Sequence, residues 1–223
     1  MNRNINVILL YPPEQTWPDM MCKPNGSLAY PMLAGALIEK GIDVEIYDAC
    51  VGNEKDNLEE VFYKSTELPT GMLRTGVSNS RIIEKVKDFD IVGITSIFSH
   101  QETMVLETCR IIKNVYPNKL LVTGGVNARH RKEIFFNAGF DLICNSESEN
   151  TIVEIVRCLE AGSRDFSNIS LVSFLKDGKI HTTRSCGDII WDLDKLPMPA
   201  WELLPNERYW KIRRGHGVAF GKE

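Results

Sequence analysis

Residues 90–99 read Asp90-Ile91-Val92-Gly93-Ile94-Thr95-Ser96-Ile97-Phe98-Ser99. Ile91–Thr95 is short and apolar, with no alternation of polar and apolar positions. That is the pattern of a strand covered on both faces, as in a parallel sheet. A helical pattern follows at once over Gln101–Val115, with Met104, Val105, Thr108, Ile111 and Ile112 on one face. Ser99, with Glu102 three residues later, predicts a capping box at its start.

The same unit repeats in both directions. Further apolar strands are expected at Asn6–Leu10, Val44–Tyr47, Leu120–Thr123 and Leu142–Cys144. Helical patterns fall between them. One opens around Pro31, carries Leu33, Ala34, Leu37 and Ile38 on one face, and stops at Gly41. Others are expected at Asn57–Tyr63, Asn79–Lys87, Arg129–Ala138 and Glu149–Glu160, the last with a second capping-box pattern at 146–149. Strands alternating with helices predict an α/β fold: a flavodoxin-like (Rossmann-type) five-stranded parallel sheet in the order 2-1-3-4-5. After Gly162 the character changes. Ile169–Leu175 and Lys179–Thr183 flank Lys176-Asp177-Gly178, a three-residue turn with a hairpin signal, and Pro197 and Pro199 mark an extended connector. The expected division is an α/β domain over 1–162, a β-hairpin appendage over 163–187 and a connector over 188–223.

Composition narrows the function classes. The chain has 223 residues, 43% hydrophobic and 25% charged, with a net charge of −4. That is ordinary for a globular protein with a real core, and gives no reason to expect nucleic acid or an anionic membrane as partner. No apolar run approaches the roughly 18 to 20 residues that span a bilayer. Ile5–Leu10 is too short for a signal peptide, so the expected location is cytoplasmic. The six cysteines are scattered, with no CxxC pair, and read as free thiols. None of the four histidines has metal-ligand spacing. No metal site and no catalytic residue are expected from spacing alone.

In such sheets ligands bind outside the carboxyl ends of the strands, at the switch in strand order. The loops there supply the candidate binding residues. After strand one come Tyr11, Pro12 and Pro13 and a long segment with Trp17, Met20 and Met21, read as a lid, an interface or a plain surface loop. After strand three come Ser96, Ile97, Phe98 and Ser99; helix capping explains Ser99, and Ile97 and Phe98 suit a flat apolar ligand or the crossover helix. After strand four, Gly124, Gly125, Val126 and Asn127 allow close backbone approach, or form only a tight turn. After strand five, Ser146, Glu147, Ser148 and Glu149 open a helix, where an anion could bind, although the two carboxylates oppose one. A receiver domain, a P-loop and a dinucleotide site are all excluded. Tyr11-Pro12-Pro13 and Ser96 stand where a receiver needs acidic residues after strand one and an aspartate after strand three, and the chain lacks a Gly-rich stretch ending in Lys-Ser or Lys-Thr and GxGxxG after the first strand.

Six stretches together resemble the cobalamin-binding N-terminal domain of cobalamin-dependent radical SAM proteins. They are Val7–Pro13, Leu28–Leu37 with Lys40-Gly41, Asp90–Thr95, Thr123-Gly124-Gly125, Asp141–Ile143 leading into Glu147–Glu149, and Asp192–Trp201 with its Leu-Pro-Met-Pro core. The resemblance implies cobalamin held over the strand ends, with its nucleotide tail in the sheet–helix crevice. The loops at 96–99, 124–127 and 146–149 would line it, with Tyr11–Pro13 nearby. It implies a methyl-donor role in a radical SAM methyltransferase. S-adenosylmethionine and a four-iron four-sulfur cluster would be held only in a radical SAM domain, in cis or in trans. Three departures stand out. No DxHxxG occurs, Asn127 stands where many relatives place a histidine, and Ser146-Glu147 replaces Gly-Glu. The cluster motif CxxxCxxC is absent, so the chain is not expected to be catalytic alone. Two other readings stay open: a cofactor-free interaction module, and an unrelated small-molecule enzyme on the same sheet.

Overall fold

The computed structural model describes residues 4–24, 26–184 and 192–213. Cys186, His216 and the outer parts of the expected connector lie outside them. Five parallel strands form the centre: β1 (Val7–Tyr11), β3 (Val44–Asp48), β6 (Ile91–Thr95), β7 (Leu120–Gly124) and β8 (Leu142–Cys144). Their spatial order is β3-β1-β6-β7-β8, all parallel, which is the expected 2-1-3-4-5. β1 and β6 are buried along their whole lengths.

Strand alternation sorts the core into two layers. Val7, Leu9, Ile46, Val122 and Cys144 pack with α1 (Ala29–Glu39) and α7 (Glu149–Glu160). Ile8, Leu10, Tyr47, Leu121 and Ile143 pack on the other face with α3 (Asn79–Val86), α4 (Glu102–Val115) and α6 (Lys132–Ala138). An apolar strand is therefore needed at every central position, because both faces lose water.

The sheet does not stop at five strands. β9 (Val172–Lys176) pairs antiparallel with β8, and β10 (Lys179–Thr182) pairs with β9. The hairpin thus extends the main sheet to seven strands. Its turn is two residues rather than three: Lys176 faces Lys179, and Asp177 and Gly178 both have positive φ, 51° and 72°, as a type I′ turn requires.

A second sheet was not expected. β2 (Glu14–Thr16), β4 (Thr66–Glu67) and β5 (Leu73–Thr75) form the antiparallel order β2-β5-β4. It joins the long loop after β1 to the irregular crossover between α2 (Leu58–Val61) and α3. Strands of two or three residues carry no readable period.

Three helix expectations are corrected. Ser99 caps nothing: 99–101 is a 3₁₀ turn, and the Gln101 side chain accepts from Ile97 N and Phe98 N, each at 3.3 Å. Ser148 precedes α7 but makes no cap bond; its Oγ donates to Ser146 O at 2.8 Å. The single helix expected over Arg129–Ala138 is two, α5 (Val126–His130) and α6, broken at Arg131 where the backbone leaves the helical region.

The residues after 192 return to the sheet. Ala200 N donates to Pro31 O at 2.9 Å, and a Cβ on Gly35 would meet Met198 O at 2.4 Å, so α1 needs glycine there. In α8 (Asn206–Ile212) the Arg208 guanidinium donates to the carbonyls of Val51, Asn53 and Asp56 at 2.7, 2.7 and 3.1 Å. Tyr209 OH donates to Asp48 Oδ2 at 2.8 Å, and Cys50 N to Oδ1 at 2.8 Å. Asp48 is 1% exposed, and burial pushes its carboxyl up to about 6, against these hydrogen bonds.

Candidate ligand site at the strand ends

The switch point between β1 and β6 is filled by two tyrosines. Tyr30 OH accepts from Thr95 N at 2.6 Å and lies 2.9 Å from Leu10 O and 3.1 Å from Gly93 O, so one proton serves two carbonyls. The Tyr11 ring stands 4.1 Å from that of Tyr30, and its hydroxyl donates to Ser27 O at 2.8 Å. Tyr11, Pro12 and Pro13 are all buried in this packing.

The open space lies one strand further along. A crevice of about 300 Å³ runs between the carboxyl ends of β6, β7 and β8 and the helices α1 and α7. Leu9, Tyr30, Leu33, Val122, Cys144 and Ile152 supply its apolar lining. Of the candidates, Ile97, Gly124, Gly125, Ser146, Glu147, Ser148 and Glu149 reach it. Tyr11, Pro12, Pro13, Ser96, Phe98, Ser99, Val126 and Asn127 do not line it. No lysine, arginine or histidine lines it; Glu147 and Glu149 are its charged groups. Tyr30, Leu33 and Ile152 were missed by sequence reasoning. Leu33 was legible as part of an apolar helix face, but nothing in that pattern separates a lining residue from core.

Two of the absent candidates act from behind the wall. Ser96 is fully buried and its N–H donates to Gly124 O at 2.9 Å. Asn127 Nδ2 donates to Ser96 Oγ at 3.0 Å and to Glu102 Oε2 at 3.1 Å, and Arg131 pairs with the other oxygen of Glu102 at 3.1 Å. Gly125, at φ 98°, sits against this seam: a Cβ there would meet Ser96 O at 2.5 Å. The loops after β6 and β7 are thus locked together.

Phe98 points the other way. It is 50% exposed, stacks on His100, and lines a second groove of about 450 Å³ with Trp17, Met20, Met21 and Met72. Glu14 is also part of that groove. Burial, then the nearby Cys22 and Asp48, push its carboxyl up to about 8, with a Gln101 hydrogen bond opposing. Burial thus favours its protonated form. Behind it Cys22 and Cys50 approach to 3.7 Å, both buried. Among the described residues no group of three or more His, Cys, Asp or Glu side chains could hold a metal, and no helix is long and apolar enough to cross a membrane.

An apolar crevice outside the strand ends of a 2-1-3-4-5 sheet is a recurrent site for large cofactors. Among solved structures, the cobalamin-dependent S-adenosylmethionine radical enzyme OxsB, with aqua-cobalamin and S-adenosylmethionine bound, superposes with a TM-score of 0.67 at 18% identity. It covers 95% of this chain and 26% of that one. The chain has the fold of a cobalamin-dependent radical SAM enzyme segment. The radical SAM methyltransferase TsrM from Kitasatospora setae, with cobalamin and a [4Fe-4S] cluster bound, gives a TM-score of 0.58 at 14% identity over 82% of this chain and 29% of its own. In sequence, the chain is 31% identical over 144 residues to an uncharacterized methyltransferase of Pyrococcus horikoshii, covering 64% of this chain and 30% of that protein. It is 25% identical to the cytidylyl-2-hydroxyethylphosphonate methyltransferase of Streptomyces wedmorensis, over 93% of this chain and 42% of that one. No protein-family model matches. The chain spans less than half the length of each of these relatives.

Proposed function

We propose that this chain binds cobalamin at the carboxyl ends of β6, β7 and β8, as the cofactor-holding part of a radical SAM methyltransferase. The observation that carries the reading is the apolar crevice that opens at the rim between the loops at 97, 124–125 and 146–149. Its size suits a bicyclic aromatic base with its sugar and excludes a corrin ring. The ring would therefore lie outside, across Ile97 and Phe98. The radical SAM domain, with S-adenosylmethionine and the iron–sulfur cluster, would act on it in cis or in trans.

The residues fit such a ligand in kind. Tyr30, Leu33, Val122 and Ile152 would hold the flat tail by burial. Gly124 leaves room at the strand end, the nearest atom to an added Cβ being Cys144 Cβ at 3.6 Å. Glu149 Oε2 is buried with no hydrogen-bond partner, so the crevice asks for a donor. The tail phosphate would stay outside, away from Glu147 and Glu149. When bound, the cofactor supplies a methyl group for transfer. The chain's own residues bind, orient and exclude water, and burial favours the protonated form of Glu14 beside the groove that carries Phe98. The same charge pattern argues against a nucleotide-sugar enzyme, because no cation in the crevice would meet a diphosphate.

Reconstitution tests this. The purified chain is expected to take up hydroxocobalamin in about one-to-one ratio and to retain the corrin absorbance through gel filtration. A colourless protein would overturn the reading.

A further inference from the structure

Among the described residues, two buried side-chain polar atoms lack a hydrogen-bond partner: Thr123 Oγ1 and Glu149 Oε2. Both residues line the same crevice. They are not equivalent. Val122 packs in the layer of α1 and α7, so alternation along β7 turns the Thr123 side chain toward the opposite layer. Glu149 opens α7 on the crevice side, one turn before Ile152. A buried carboxylate oxygen without a donor costs folding free energy, and more so when charged. Folding alone gives no return for it. The adjacent Ser148 hydroxyl is turned away onto Ser146 O.

We infer that Glu149 is the specificity element of the crevice: its free carboxylate oxygen accepts a hydrogen bond from a hydroxyl or N–H on the ligand's nucleoside tail. This rests on the corrinoid reading above. The crevice then sorts ligands by donor content and charge. A neutral, donor-bearing sugar is accepted. A tail ending in a free phosphate or carboxylate is rejected, since Glu147 and Glu149 repel it and no cation lines the crevice. A corrinoid without a nucleoside tail leaves Glu149 unpaired and gains nothing from it.

The test compares cobalamin with cobinamide, which has the same ring and no nucleotide, by absorbance titration of the full chain. Wild type should bind cobalamin more tightly. Glu149→Ala should weaken cobalamin by roughly 10- to 100-fold, the worth of a hydrogen bond to a charged group, and leave cobinamide unchanged. Glu149→Gln keeps an acceptor and loses the charge, so it should fall between. The apo Glu149→Gln protein should melt no lower than wild type, because an unpaired charge has been removed, and this separates a lost contact from a lost fold. Equal loss for both ligands, or none for cobalamin, overturns the assignment. A wild type that binds cobinamide and cobalamin equally overturns it too and leaves the corrinoid reading standing. A wild type that binds neither removes both.

Discussion

The two ends of the sheet each carry a hollow, and the larger one is the less informative. At the amino end a groove of about 670 Å³ lies among Lys87, Asp88, Asp90, Tyr116, Lys119 and Arg164. Two of its cations are already held by backbone carbonyls. Lys119 Nζ donates to the carbonyls of Lys87 and Phe89, Arg164 donates to Asn118 O at 2.6 Å, and Lys113 beside it holds Asp141 at 2.8 Å. At the carboxyl end the crevice is less than half as large, apolar, and keeps an unpaired carboxylate oxygen. A hollow whose polar groups are closed is part of the fold. One that leaves apolar surface and a buried acceptor open is built for something else.

The largest expected effect follows from filling the smaller hollow. Ile152→Trp should lower cobalamin affinity at least about a thousandfold, or roughly 4 kcal/mol. Lys119→Met at the other end should leave that affinity within about twofold. Equal effects from the two variants would erase the distinction between the two ends.

A second expectation concerns the buried carboxyl of Asp48. Asp48 has its partners in place, yet burial lifts its carboxyl from 3.8 to about 6. A raised folded-state value means the protonated form favours folding. The penalty of the charged form is therefore absent below pH 4, grows between 4 and 6, and is full above 6. Asp48→Asn should be more stable than wild type by about 3 kcal/mol at pH 8, with the gap closing toward pH 4. Chemical denaturation at both pH values measures it, and a pH-independent gap would deny the burial effect.

Next in size, Lys119→Met should lower stability by about 1 to 2 kcal/mol, because it strips donors from partly buried carbonyls. A neutral result in denaturant melts would mean that solvent already satisfies the amino-end groove. The smallest effect belongs to the seam behind the crevice. Asn127→Ala should weaken cobalamin about fivefold, roughly 1 kcal/mol, by loosening the loops after β6 and β7. Asn127→Asp, which repels Glu102, should do no better.

Much of the architecture was readable from local pattern. Ile91–Thr95 and Leu142–Cys144 fall where their apolar runs end, and Glu149–Glu160 is one helix as its spacing demands. The small sheet of β2, β4 and β5 was not readable, because its strands are too short to show alternation and β2 reaches β5 from some 60 residues away. Three of the candidate loops reach the crevice, but membership in a loop did not tell lining from support. Ile97 and Gly124 face the crevice, while Ser96 and Asn127 bond to each other behind it. Tyr11 was expected near the ligand because it ends a strand; it is buried because Tyr30 occupies the switch point.

By itself the sequence determined that apolar strands and amphipathic helices alternate, because a strand covered on both faces and a helix covered on one have periods that can be read from neighbours in the chain. It also determined that no cationic phosphate cradle follows the first strand. Only the tertiary structure decided that the open space lies beside β7 rather than at the switch, and that Cys22 meets Cys50 and Tyr209 meets Asp48. It also left Glu149 unpaired. These depend on which side chains fill a shared volume, and residues as far apart as 30, 124 and 152 compete for it only after the chain has closed.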